Sequence, residues 1–353
     1  MINAPAAAHE EADAESRATP TARASDAAST IAALEHAAWA LAAVAKLCGT
    51  GAIEADTVRL TSDDDTAAAR VLASIGLLTN VGDGYEPAPG MAELMGLVPA
   101  TIRSEATISV LRQIATIAGI LPNVDAMGWA AHDDKTLLAQ GRASALGGKM
   151  LAAVAVASLA GLAERFRDGG HVLDVGTGVG ELGAAFAEAL PDATVVGLDV
   201  LGRAVELARA MIRDRNLDNR FEVRHQAIED LDDTNRYDLA WIPAPFIPPA
   251  AFKAGLANIY AALSPGGWIV VAAGRLDGDD LAVSVTRWQT QLAGGTPLTA
   301  TDAHTILTTT GFTNIAPIPT PVGAPALYCG QRPIAEDRWA PRPRHAGPAM
   351  SHS

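Results

Sequence analysis

Asp174 is followed at alternate positions by Gly176, Gly178 and Gly180 in the string HVLDVGTGVG (171–180). Val172, Leu173 and Val175 form the kind of apolar run that a parallel strand covered on both faces requires. A carboxylate inside such a run is costly to bury unpaired, so Asp174 is expected near the carboxyl end of the strand, tethering the turn or a ligand. The glycines let the chain turn tightly and approach a ligand with no Cβ in the way, at the start of a helix. A nucleotide-like ligand is the first reading. Gly178, Gly180 and Gly183 also fit G-x-G-x-x-G, which alone points to a dinucleotide.

The longer pattern, h-D-h-G-x-G-x-G with an acid two residues before the first glycine, resembles motif I of the class I S-adenosylmethionine (SAM) methyltransferases. Three later stretches agree with that resemblance: TVVGLDV ending near Asp199, YDLAWIP (237–243), and SPGGWIVV (264–271) at the place of the family's L-x-P-G-G turn. The resemblance implies a Rossmann-like, doubly wound α/β sheet of seven strands, order 3-2-1-4-5-7-6, with the last strand antiparallel. It implies SAM as cofactor, held by Asp174, Gly176, Thr177, Gly178 and Gly180, with Asp199 and Val200 at the ribose. Ala227 and Ile228 stand at the adenine position, where relatives often carry an aspartate. Gln140 and Arg142 occupy a helix that in relatives lies across the donor's mouth; the alternative is a polar helix face packed closely through Gly141, Gly147 and Gly148.

A methyl on a sulfonium is already activated, so transfer depends mainly on alignment in a dry pocket, and a base is needed only where the acceptor loses a proton. O-methyltransferases of this fold often carry a histidine after strand five; VVAAGRLDGDDL (270–281) has none, and Arg275 and Asp277 are no obvious substitutes. His132 is the candidate base. His225 reads as a strand-face histidine and His304 as a solvated first-turn residue. No His, Cys, Asp or Glu spacing matches a metal site, so no metal is expected. WIPAPFIPP (241–249) offers four prolines at the carboxyl end of a strand, where ligands sit in open α/β sheets. Trp129, Trp241, Pro243 and Phe246 are the expected acceptor wall. A small, aromatic acceptor of secondary-metabolite type follows, carbon or nitrogen favoured over oxygen. The alternatives are phenol O-methylation, a non-catalytic SAM-fold regulator, and a nicotinamide oxidoreductase.

These residues need a scaffold, and 353 residues suffice for about two domains. Residues 1–28, poor in large apolar side chains, read as a disordered arm. A helix over 30–47 capped by Ser29, a helix over 63–78 and a hairpin turning at Asp83-Gly84 follow. The stretch 70–95 resembles the degenerate winged-helix domain that precedes small-molecule methyltransferases of the plant O-methyltransferase type, which implies that 29–100 mediates homodimerisation. Residues 101–166 read as a helical connector and lid, 167–332 as the SAM domain, and the Pro-rich 333–353 as a disordered tail. Asp63, Asp64 and Asp65 on the helix before the wing, with a net charge of −14, argue against nucleic acid or an anionic membrane as partner. No stretch reads as a leader or a membrane span, and Cys48 and Cys329 form no disulfide framework. The cytoplasm is the expected setting.

Overall fold

The computed structural model describes residues 20–54, 56–118, 128–274, 276, 281–320 and 325–334. The chain forms two compact units, 1–122 and 123–353. The expected arm over 1–19, the tail from 335, Arg275 and Asp277 lie outside the described residues.

The first unit contains α1 (Pro20–Gly49), α2 (Asp63–Ser74), a hairpin of β1 (Leu78–Val81) and β2 (Gly84–Pro87), α3 (Pro89–Leu97) and α4 (Ala100–Ile117). Helix α1 starts at Pro20, so Ser29 is interior rather than a cap and 20–28 is helical. Alanine, the strongest helix former, explains this where apolar periodicity gave no signal. The stretch 27–49 is also long and apolar enough to cross a membrane, contrary to expectation. Its inner face, Ala43, Val44, Leu47 and Cys48, packs with Ile53, Leu72 and Met95 as a core helix does. In α2 the Ser62 hydroxyl accepts from the Asp65 amide at 3.0 Å, and Lys46 pairs with Asp64 and Asp65, joining α1 to α2. The helix stops at Ser74, four residues early, because Gly76 turns the chain at φ +77°. The hairpin pairs Val81 with Gly84, so its two-residue loop is Gly82-Asp83, one residue before the expected turn, with Gly82 at φ +57°. Ser104 of α4 donates to the Ala45 carbonyl at 2.8 Å. Thus α4, assigned to the connector by sequence, belongs to the first unit.

The second unit opens with α5 (Asp134–Ser158) and α6 (Leu162–Arg167), one expected helix broken at Gly161, φ +80°. Then come β3 (His171–Val175), α7 (Glu181–Ala189), β4 (Thr194–Asp199), α8 (Gly202–Asp214), β5 (Phe221–His225), β6 (Tyr237–Pro243), α9 (Pro249–Ala262), β7 (Leu263–Ala273), α10 (Leu281–Leu292), α11 (Ala300–Thr310), β8 (Thr313–Ile318) and β9 (Ala326–Gln331). The sheet order is β5-β4-β3-β6-β7-β9-β8 with β9 antiparallel to both neighbours. Counted within the sheet this is the expected 3-2-1-4-5-7-6. Val172, Leu239, Trp241 and Val270 point to one face, against Leu151, Phe186 and Val205. Leu173, Val175, Ile242 and Ile269 point to the other, against Phe252, Leu256 and Leu307. Burial on both faces is why these strands read as continuous apolar runs. In β7 the Pro-Gly-Gly turn is a bulge: pairing jumps from Tyr237–Leu263 to Leu239–Trp268. The Arg165 guanidinium pins it, donating to the Pro265 carbonyl at 2.7 Å and to Asp238 at 2.6 Å.

Candidate active site

The carboxyl ends of β3, β4 and β6 gather the glycine turn, Asp199 and the proline loop. Asp174 is buried, and its Oδ2 accepts from the Thr177 hydroxyl at 2.7 Å. Burial, reinforced by the nearby Asp199 charge, pushes its carboxyl up to about 7 against the hydrogen bonds from Thr177 and the Gly183 amide. Asp199 uses both oxygens on backbone: Oδ2 accepts from Gly178 N–H and Oδ1 from Leu201 N–H, each at 2.8 Å. Burial raises its pKa, opposed by those amides and by His225. The Val200 amide also bonds this carboxylate, and of its about four acceptor positions one remains. Gly178, at φ +57°, has open space where a Cβ would stand. An edge of open backbone beside a two-oxygen acceptor suits a ribose diol and the chain that leaves it.

The glycines divide by role. Gly176 (φ +66°) faces Pro243 and Ile247 of the proline loop, a Cβ there lying 3.3 Å from Ile247 Cδ1. Gly180 and Gly183 serve packing instead: a Cβ would lie 2.9 Å from Met211 at the first and 2.6 Å from Phe221 at the second. Both glycines are required by close packing of the turn and α7 against α8 and β5. Thr177 is likewise a staple, its hydroxyl on Asp174 and its amide on the Leu198 carbonyl at 3.0 Å. Val200 is 68 % exposed, an apolar surface beside Asp199. Ile228 buries its side chain in the core under α9 and leaves only backbone for a ligand, while Ala227 begins the short turn after β5.

Helix α5 crosses this turn. A Cβ on Gly141 would sit 2.1 Å from Val179 Cγ2, and one on Gly148 2.1 Å from the Leu182 carbonyl. Those two glycines, one heptad apart, are the close-packing device that the sequence suggested; Gly147 makes only ordinary contact. Gln140 and Arg142 flank Gly141 on the same helix, and both are partly buried.

Two expected acceptor residues meet the candidate base. The Trp129 ring lies 5.1 Å from His132 and 5.4 Å, edge-on, from Phe246. Phe246 is 41 % exposed. Burial lowers the pKa of His132, against the Asp133 charge, so the imidazole is neutral at pH 7. Its Nδ1 is buried with no hydrogen-bond partner among the described residues. Trp241 does not join them. Only 9 % exposed, it points into the α5–α8 core layer and is a core residue rather than an open wall. Pro243 lines the glycine turn at Gly176. His304 is exposed on α11.

Sequence reasoning missed what holds the proline loop. Thr296 N–H donates to the Ala244 carbonyl and Thr296 Oγ1 to the Ile247 carbonyl, both at 2.8 Å. Gly295 lies so close that a Cβ would fall 1.8 Å from the Pro245 oxygen. His225, read as a strand-face histidine, is exposed at the end of β5, and its Nε2 bonds the Val200 carbonyl at 3.0 Å. Among the described residues no group of three His, Cys, Asp or Glu side chains could hold a metal.

Residues 172–267 match the family model described as a methyltransferase domain. The matched segment is about a quarter of the chain. Its glycine turn, Asp199 and the strand bearing the proline loop all fall within the matched segment. The chain is 34 % identical over 119 residues to carboxy-S-adenosyl-L-methionine synthase of Chromohalobacter salexigens, covering 31 % of this chain and 43 % of that protein. It is 33 % identical over 102 residues to demethylmenaquinone methyltransferase of Thermus thermophilus, covering 29 % and 46 %. The matches span less than half the length of these curated relatives. The fold resembles human N-acetylserotonin methyltransferase, solved in complex with SAM, at TM-score 0.59 and 13 % identity, over 87 % of this chain and 98 % of that one. That likeness extends well beyond residues 172–267.

Proposed function

We propose that this chain is a SAM-dependent methyltransferase acting on a small, mainly aromatic organic molecule. The observation that carries the reading is the Asp199 clamp: one carboxylate fixes the glycine turn through Gly178 and retains acceptor capacity for a ribose diol. SAM supplies a methyl group on a positively charged sulfur. The residues of this chain do the rest: the open backbone at Gly178 receives the donor, Val200 offers an apolar surface to its base, and Phe246 and Trp129 align a flat acceptor. Alignment alone suits carbon or nitrogen acceptors. His132 favours a second reading, phenol O-methylation, because a neutral imidazole with an uncommitted buried nitrogen can take a proton.

Calorimetric titration with SAM, S-adenosylhomocysteine and NAD tests the donor, and mass-shift screening of metabolites with labelled SAM finds the acceptor. With an acceptor in hand, Phe246→Ala is expected to lower kcat/KM by one to two orders of magnitude on a carbon or nitrogen acceptor, with His132→Ala milder. A loss of several orders for His132→Ala with a silent Phe246→Ala would make proton removal dominant and the alignment account wrong.

We further propose a homodimer through the first unit. Helix α1 exposes Ile31, Leu34 and Trp39, the last at 74 %, and α4 exposes Val110, Ile114 and Ile117 at spacings of one helix face. Light scattering should give a dimer for the full chain at micromolar concentration and a monomer for the Trp39→Asp/Ile114→Asp double variant; a monomeric wild type contradicts the assignment. The cytoplasm, where the buried thiols of Cys48 and Cys329 would stay reduced, suits such an enzyme.

A further inference from the structure

Helix α5 is held over the donor turn by two anchors of different kinds. At Gly141 and Gly148 the contact is apolar, backbone-close and buried. At its first residue it is ionic and open to solvent. Arg203, in the first turn of α8, grips Asp134 with both arms of its fork, Nε to Oδ1 at 2.9 Å and Nη2 to Oδ2, while Nη1 holds Glu206 at 2.9 Å. Both side chains of the Asp134–Arg203 pair remain about half exposed. Asp134 and Gly141 are seven residues apart, about 10 Å along a helix. Both anchors are tied through the chain to the Gly178–Asp199 clamp: Val179, under Gly141, directly follows Gly178, and Arg203 follows Asp199 by four residues. Asp134 also directly follows Asp133, the N-cap, whose Oδ1 accepts from Thr136 N–H at 2.8 Å, and His132 lies just before it.

We propose that Arg203 is a positioning residue that, through Asp134, forms a releasable latch over the donor site, with the Gly141–Gly148 contact as the hinge. The bidentate fork sets one geometry for the start of α5, and with it the height of Trp129 and His132 over the cleft. An exposed pair is weak and screened by salt, whereas the glycine contact is not. Opening therefore separates the start of α5 from α8 while the helix stays seated on α7. The latch rests on the donor reading given above, and it governs how fast the nucleoside product leaves.

The test is stopped-flow displacement of S-adenosylhomocysteine from the full-length protein by excess SAM. Asp134→Asn and Arg203→Gln are each expected to speed release three- to tenfold, and the double variant no more than either single change. Wild-type release should rise with sodium chloride toward the variants' rate, and the variants should respond little. Rates and salt dependence equal to wild type would overturn the latch, as would effects that simply multiply in the double variant. Loss of all binding by the wild type would overturn the donor reading itself, and the latch with it, whereas loss in the variants alone, with their melting unchanged, supports the positioning role.

Discussion

Replacing Asp199 by alanine should weaken S-adenosylhomocysteine binding by roughly tenfold to a hundredfold, since a hydrogen bond to a charged group is worth about 1.5–3 kcal/mol. The change acts twice. It removes the acceptor offered to the ribose, and it releases the Gly178 and Leu201 amides that the carboxylate now holds in place. Asp199→Asn keeps one carbonyl oxygen and should lose less. Calorimetry, with the fold checked by circular dichroism, reads both; unchanged affinity in a folded Asp199→Ala protein would remove this residue from the donor site. Gly178→Ala should also weaken binding, because φ +57° disfavours any side chain and the methyl would enter the open edge of the turn.

The second large effect concerns stability. Asp174 holds its proton up to about pH 7 in the fold, against an ordinary value of 3.8. Between those two pH values the folded chain binds a proton that the unfolded chain has released, so stability falls as pH rises and the loss levels off above 7. At about 1.4 kcal/mol per pH unit the full penalty is on the order of a few kcal/mol. Asp174→Asn cannot ionise and can still accept from Thr177. Its Tm should match wild type near pH 4 and exceed it by several degrees at pH 8, as thermal denaturation across that range would show. A gap that does not widen with pH would mean that the carboxyl is already charged at the acid end of that range; a poorly fitting amide would only lower the variant's Tm equally at every pH.

The sheet was legible because few structures satisfy an apolar run, a buried acid and three glycines at alternate positions, and β6 spans the expected 237–243 residue for residue. Strands β3, β4 and β5 end at Val175, Asp199 and His225, where the chain leaves the ladder for the loops at the carboxyl edge. Trp241 misled because a strand buried on both faces lacks the alternation that tells which way a side chain points. The cluster of Trp129, His132 and Phe246 was named residue by residue, but nothing local shows that they touch. Partners distant in sequence, such as Asp134 with Arg203 or Gly295 with Pro245, leave no local signature at all. At the amino end, the arm was drawn too long because large apolar residues were taken as the requirement for order, whereas alanine forms helix without them.

The contact of Gly295 and Thr296 with the proline loop makes two segments, about fifty residues apart, a single mechanical part. Any change that lengthens 244–247 or adds a side chain at 295 must shift both, because neither carbonyl nor turn has room to yield. Re-shaping this pocket for a new molecule, by evolution or by engineering, therefore means moving the two segments together; a loop transplanted alone would arrive without the brace that gives it its shape.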